Sequence, residues 1–252
     1  MKLASFLGIA ALAGGLLLTP AEAPAQTTIE SLGTTVTFTP AATTDYLFRG
    51  ISQTRSGPAI QAALDLEHSS GLYVGTFASN VAFPGTNLRQ EVDFNFGYRF
   101  ELGGVKFDVG GTYFGYPGYD ADKSGGSEWA WWEANLRASW QATEELKLLG
   151  LVAYAPDFSF ESGAALYIEG GVDLTIPYGF TVSLRAGYQW IDDNAAFGTP
   201  DYGVFSFGIS REIVFGVIGA LTLSHTTIDR DDCFGGRNFC GTRVIATVSR
   251  PF

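Results

Sequence analysis

The stretch EVDFNFGYRF, residues 91–100, decides the fold. Val92, Phe94, Phe96, Tyr98 and Phe100 fall on one side of an extended chain, and Glu91, Asp93, Asn95, Gly97 and Arg99 fall on the other, because successive side chains of a strand point to opposite faces. A one-residue slip would exchange the two sets, so this register is strongly specified.

The same alternation extends in both directions. Residues 59–67 set Ile60, Ala62, Leu64 and Leu66 against Gln61, Ala63, Asp65 and Glu67, and residues 104–114 set Val105, Phe107, Val109 and Tyr113 against Lys106, Asp108, Gly110 and Thr112. Further along, Leu166, Ile168, Val172, Leu174 and Ile176 oppose Tyr167, Glu169, Gly171, Asp173 and Thr175, while Phe180, Val182, Leu184, Tyr188 and Trp190 oppose Thr181, Ser183, Arg185, Gly187 and Gln189. Less regular versions lie near 34–49, 71–81, 128–140, 145–155, 202–211, 215–227 and 242–252. The pattern predicts about twelve strands and no sustained helix.

The connections alternate as well. Those near 68–71, 101–104, 141–145, 176–179 and 211–215 are short, whereas those near 50–58, 82–90, 117–127, 156–163, 191–201 and 228–241 are longer and rich in Gly, Pro, Asp and Asn. Short turns at one end and long loops at the other are the signature of an outer-membrane barrel, with an even strand number and both termini on the periplasmic side. The expected fold is therefore all-β: an antiparallel transmembrane barrel of about twelve strands, with short periplasmic turns and longer extracellular loops.

Composition agrees. The 252 residues include 32 Gly, 20 Phe, 11 Tyr and 5 Trp, with only 16% charged residues and a net charge of −11. Fifteen Lys and Arg against 26 Asp and Glu supply no basic footprint for nucleic acid. So apolar and aromatic a chain is not disordered. A soluble sandwich or lipocalin-like barrel also alternates, but it turns its apolar set inward and scatters Lys and Glu over its surface, and that scatter is lacking here.

The first residues read as an export signal. Lys2 is followed by the uncharged apolar run Leu3 to Leu18, then by small residues. Ala23-Pro24-Ala25 with cleavage before Gln26 avoids proline at the first mature position, so residues 1–25 are the expected signal peptide and 26–252 the expected barrel domain. Beyond residue 25 no stretch approaches the ~20 apolar residues of a spanning helix; the longest candidate runs from Ile213 to Leu223. Any membrane crossing must then use strands. Cys233 and Cys240 lie together in DDCFGGRNFCG, and in an exported chain they are expected to form a disulfide. Their spacing fits no zinc signature, and His68 and His225 are remote in sequence.

At the C-terminus Val244, Ala246, Val248, Arg250 and Phe252 share one parity. A terminal aromatic after an alternating strand marks the recognition point for the barrel assembly machinery, so Phe252 is the expected contact.

The first hundred residues of the barrel domain carry a family resemblance. DYLFRGISQT (45–54), PAIQ (58–61), SGLYVGTFASNV (70–81), the spaced Glu91, Asp93, Gly97 and Tyr98, and Tyr116-Pro117 resemble the TorF-type porin family, the Gcw-type conserved hypothetical outer-membrane proteins. The match is best over residues 40–117; Phe77 stands where Trp is expected. The resemblance implies localisation in the outer membrane of a Gram-negative cell and contact with its lipid, more than it implies any particular solute.

Turning the polar parity inward places Asp45, Asp65, Glu67, Glu91, Asp93, Asp108, Glu133, Glu169 and Asp173 in the interior with Arg49, Arg99, Lys106, Arg137, Lys147 and Arg185. One reading is a water-filled pore that passes small hydrophilic solutes with a mild cation preference, since carboxylate rings attract cations. The other is a network in which these charges pair and, with Tyr167 and Gln189, fill a narrow interior; Glu169 and Arg185 are the expected cross-strand pair. The segment from Phe48-Arg49-Gly50 to Ser52-Gln53-Thr54 either dips into the mouth as a constriction or packs as an ordinary loop. Trp129, Trp131, Trp132 and Trp140 are expected to supply girdle aromatics, although Trp of opposite parity cannot all face lipid, with a carbohydrate-stacking platform in the lumen as the alternative.

A lipid-modifying barrel enzyme is the competing class. His68-Ser69-Ser70 falls in a short turn and His225 has only Thr226 and Thr227 beside it, so nothing assembles a nucleophile, base and orienting group. No enzyme, cofactor or metal site is expected.

Overall fold

The computed structural model describes residues 26–120 and 126–252. The expected signal peptide, residues 1–25, and part of the 117–127 connection lie outside them. Twelve long strands follow in order: β1 (Thr34–Thr43), β2 (Ala59–His68), β3 (Leu72–Asn80), β4 (Gln90–Leu102), β5 (Val105–Gly115), β6 (Trp131–Gln141), β7 (Leu146–Ala155), β8 (Ala165–Ile176), β9 (Phe180–Ile191), β10 (Tyr202–Val214), β11 (Val217–Thr226) and β12 (Arg243–Ser249). Each pairs antiparallel with its sequence neighbour, and β12 returns to β1, so the ladder closes. The seam pairs Thr247 with Thr43, Val248 with Ala42 and Ser249 with Ala41. Past the end of β12 it continues through Arg250 N to Pro40 O and a reciprocal pair between Phe38 and Phe252, at 3.0 and 2.7 Å. The terminal aromatic is thus the last rung of the closure. A short strand, Thr27–Ile29, pairs with the start of β1.

Local chemistry explains the tight turns. Gly103 and Gly104 (φ 61° and 81°) join β4 to β5, and Phe215 and Gly216 (φ 49° and 76°) join β10 to β11. Two successive positive φ values make the hairpin turn whose twist matches that of the flanking strands.

The structure answers which parity faces out. Phe94 is 55% accessible while its neighbour Asp93 is 0%. The same contrast runs around the barrel, with Leu64, Trp132, Ile168, Leu184, Phe205 and Leu221 exposed and Glu91, Glu133, Asp173, Arg185 and Ser224 buried. This is the reverse of a soluble barrel and suits an exterior solvated by lipid. Glycines on the inner face give room to inward tyrosines. A side chain at Gly97 or Gly110 would meet the Tyr73 hydroxyl, and one at Gly187 would meet Tyr167.

One expected boundary differs. The first strand ends at Thr43, not near residue 49, because the chain turns inward there to form a separate small hairpin, Leu47–Phe48 against Ile51–Ser52.

Replacing the outward Phe207, midway along β10, by Arg should lower the unfolding free energy by about 2–4 kcal/mol, as charges at bilayer mid-depth do. Urea titration of barrels folded into lipid vesicles measures it.

Candidate functional site in the lumen and mouth

The inward hairpin is the centre of the site. Its turn is Arg49-Gly50, with φ of 45° and 82°, the two-residue geometry that glycine favours and arginine tolerates only with support. The support is the barrel wall. Arg49 donates to Gln189 Oε1 on β9 at 2.8 Å and to Glu133 Oε2 on β6 at 2.5 Å, and its guanidinium lies 4.4 Å from the centre of the Tyr167 ring on β8. A side chain added at Gly50 would run into Thr226 and Val204, so the tip abuts β10 and β11. The hairpin therefore spans the lumen from wall to wall. At this level Gln189 and Asp93 are 0% exposed.

The base of the hairpin is fastened from several sides. Asp45 accepts hydrogen bonds from the hydroxyls of Ser52 (2.6 Å) and Thr54 (2.9 Å) and faces Arg243 at 3.3 Å. Burial raises its carboxyl above the ordinary aspartate value, while these hydroxyls and Arg243 pull it the other way. The Tyr46 hydroxyl donates to Glu91 at 2.6 Å, and Tyr116 bonds the same carboxylate. Burial, with Glu91 beside them, pushes both phenols well up and keeps them neutral. Ser52 N donates to the Phe239 carbonyl inside the loop that the Cys233–Cys240 disulfide closes, so the expected disulfide is formed and holds the hairpin's neighbour.

Toward the short-turn end lies a second cluster. Arg99 bridges Asp65, Glu67 and Asp108, at 2.9, 2.5 and 3.4 Å, beneath the Tyr73 ring, and Tyr73 donates to Asp108 at 2.7 Å. Arg137 stands opposite Asp108 in register and donates to Asn135. On the far wall Arg185 pairs with Asp173 at 2.5 Å, and Ser183 donates to the same oxygen. The expected Glu169–Arg185 pair is not formed. The three-residue turn Pro177–Gly179 sets Ile176 opposite Phe180, which puts Gly171 opposite Arg185 and Gly187 opposite Glu169. Glu169 instead accepts from Tyr167 at 2.7 Å.

The tryptophans divide. Trp132 and Trp140 are exposed on the outer face, as girdle residues are, but Trp129 and Trp131 are buried inside the mouth. There they pack against Phe158, Phe160, Phe83 and Phe48, with Trp129 and Phe160 ring centres 4.2 Å apart. Trp129 precedes β6, so strand parity says nothing about it. This aromatic chamber and the role of Arg49 as a cross-lumen tie are the features that alternation alone did not reveal; the signal for the second was the Arg-Gly pair between two short apolar runs.

His68 Nδ1 contacts Ser70 Oγ at 2.8 Å in an exposed turn, and His225 Nδ1 contacts Thr242 Oγ1 at 2.9 Å. Neither has an orienting carboxylate within these contacts. Among the described residues no group of three or more His, Cys, Asp or Glu could hold a metal ion.

A family model described as "Bacterial protein of unknown function (Gcw_chp)" matches residues 28–252. No curated protein matches the sequence. Among solved structures the chain is similar to the KdgM porin, at 9% identity and a TM-score of 0.58 over 86% of this chain and 99% of that one. It is similar to the same porin in complex with disordered oligogalacturonate, at 9% identity and 0.57 over 86% and 98%. The NanC porin aligns at 12% identity and 0.54 over 85% and 97%. At such identities the likeness establishes the shared barrel architecture.

Removing the Arg49 side chain with Arg49→Ala strands Glu133 and Gln189 in the interior. The loss expected for breaking one partner of a buried ion pair is about 3–5 kcal/mol. Adding Glu133→Gln should recover part of it, as read by urea unfolding of the refolded barrel.

Proposed function

Because the chain belongs to the Gcw_chp family and folds as a twelve-stranded barrel of porin architecture, we propose that it is an outer-membrane porin-like channel. Its route for passive diffusion of small hydrophilic solutes is held shut by the hairpin of residues 45–54. In this reading it is a TorF-type porin of a Gram-negative outer membrane, exported by residues 1–25 and delivered to the assembly machinery through Phe252. The long loops face outward.

The observation that carries the proposal is the Arg49-Gly50 hairpin. It is a local element fastened by side-chain contacts and by two backbone hydrogen bonds to neighbouring loops, Ser52 N to the Phe239 carbonyl and Ala82 N to the Gln53 carbonyl, not by the barrel ladder, so it can leave the lumen without breaking the wall. The residues it leaves behind, Glu91 and Asp93 on β4, Glu133 on β6 and Gln189 on β9, are polar and buried on the inner face. Below it Asp65, Glu67 and Asp108 outnumber Arg99 and the neighbouring Arg137, an excess of negative charge that favours cations. Oligogalacturonate, the ligand in one porin of this architecture, is a polyanion; the carboxylates around Arg99 argue for neutral or cationic solutes here.

The complete burial of Gln189 and Asp93 favours a second reading, a permanently plugged structural barrel. Planar-bilayer recording separates the two. The native protein should show rare openings, and Gly50→Val, which cannot seat against Thr226 and Val204, should show long-lived conductance with cation preference. Silence from both proteins would favour the plug.

Proton linkage supplies a further prediction. Docking raises the Asp45 pKa, whereas a released hairpin returns it to its ordinary aspartate value in water. The docked state therefore binds protons more tightly, and lowering the pH through the window between those two values favours docking. Currents should fall across that window; a rise would contradict the assignment.

A further inference from the structure

Above the hairpin is a cavity of about 250 Å³. Its walls are rings from separate parts of the chain, Trp129 ahead of β6, Trp131 at its start, Phe158 and Phe160 in the loop after β7, and Phe48 of the hairpin. The loop that the Cys233–Cys240 disulfide closes contributes Phe234, Phe239 and Arg237. We infer that this chamber is a binding site for a planar aromatic molecule carrying an anionic group, with the rings enclosing its body and Arg237 receiving its charge.

Size, shape and polarity each narrow the occupant. An apolar cavity of about 150 Å³ accepts benzene, so this one has room for a one- or two-ring compound. Rings that meet edge-on, as Trp129 and Phe160 do, present faces and edges to a flat guest and suit offset or T-shaped contacts. Arg237 is exposed at the rim, and no ion-pair partner is shown for it among the described residues. Its guanidinium can take a carboxylate in a charge-assisted hydrogen bond. The Trp131 indole nitrogen is buried without an acceptor, a donor that a guest oxygen would satisfy.

The chamber also touches the hairpin. Because Phe48 and Ile51 are part of its lining, the site exists in full only while the hairpin is docked. A guest that prefers one of two conformations shifts the balance toward it, so an occupied chamber holds the hairpin in. That effect on current rests on the channel reading; the binding itself does not.

The test is calorimetric titration of the full-length protein in detergent with 2-naphthoate, using protein-free micelles as the blank. Equimolar saturation is expected. Arg237→Gln should weaken 2-naphthoate by about tenfold, the equivalent of one charge-assisted hydrogen bond, while leaving the neutral analogue 2-naphthalenemethanol unchanged. Trp129→Ala should weaken both, with heat-modifiable gel migration confirming that the barrel is folded. Heat equal to that of empty micelles overturns the site, as does equal binding of both probes to native protein and both variants. Because conductance plays no part in the readout, a silent channel does not affect it.

Discussion

Closing the ladder between β1 and β12 governs everything else in this molecule. Once Ala41–Thr43 accept Thr247–Ser249 as their partners, no strand edge remains to be covered, and every residue is assigned to one of two sides. Hydrocarbon can then solvate the side carrying Phe94, Leu184 and Leu221, because the backbone beneath it is paired throughout. The cost of that solution falls on the interior. A narrow barrel whose inner face carries glutamates, aspartates and arginines must pair them or hydrate them, and here Arg49 pairs with Glu133 at the hairpin while Arg99 gathers Asp65, Glu67 and Asp108 below it.

The interior charges act less as independent stabilisers than as a system of constraints. A buried ion pair seldom improves on an apolar substitute of the same volume, yet losing one partner is costly. Arg49 uses this asymmetry, because its guanidinium is carried on a short turn while Glu133 and Gln189 belong to the wall. The wall residues thereby specify one docked position for a segment that has little secondary structure of its own. Asp45 does the same at the hairpin's base, where two hydroxyls and one guanidinium converge on its carboxylate.

Much of the architecture was legible in the sequence, for a physical reason. Period-two alternation over 91–100 and its counterparts reports directly which residues share a face, and the alternation of short and long connections reports which ends they join. Which inward side chains meet one another is not encoded this way. Arg185 meets Asp173 instead of Glu169 because the turn at Pro177–Gly179 has three residues, a register detail that hydrophobicity does not carry. Trp129 and Trp131 enter the mouth because loops from four parts of the chain converge there, bringing Phe83, Phe158, Phe197 and Phe234 into one cluster. The inward hairpin lies between these cases: its Arg-Gly turn is visible in the sequence, but its direction depends on acceptors more than eighty residues away.

Phe48 and Ile51 belong at once to the inward hairpin and to the lining of the aromatic chamber. An exchange at either position alters the fit of the hairpin and the shape of the space above it together. Evolution therefore cannot adjust the two independently within this segment. A lineage that reshapes the chamber through these residues also changes how the hairpin seats in the lumen, and divergence that spares that seating is expected to accumulate on the loops bearing Phe160 and Phe234.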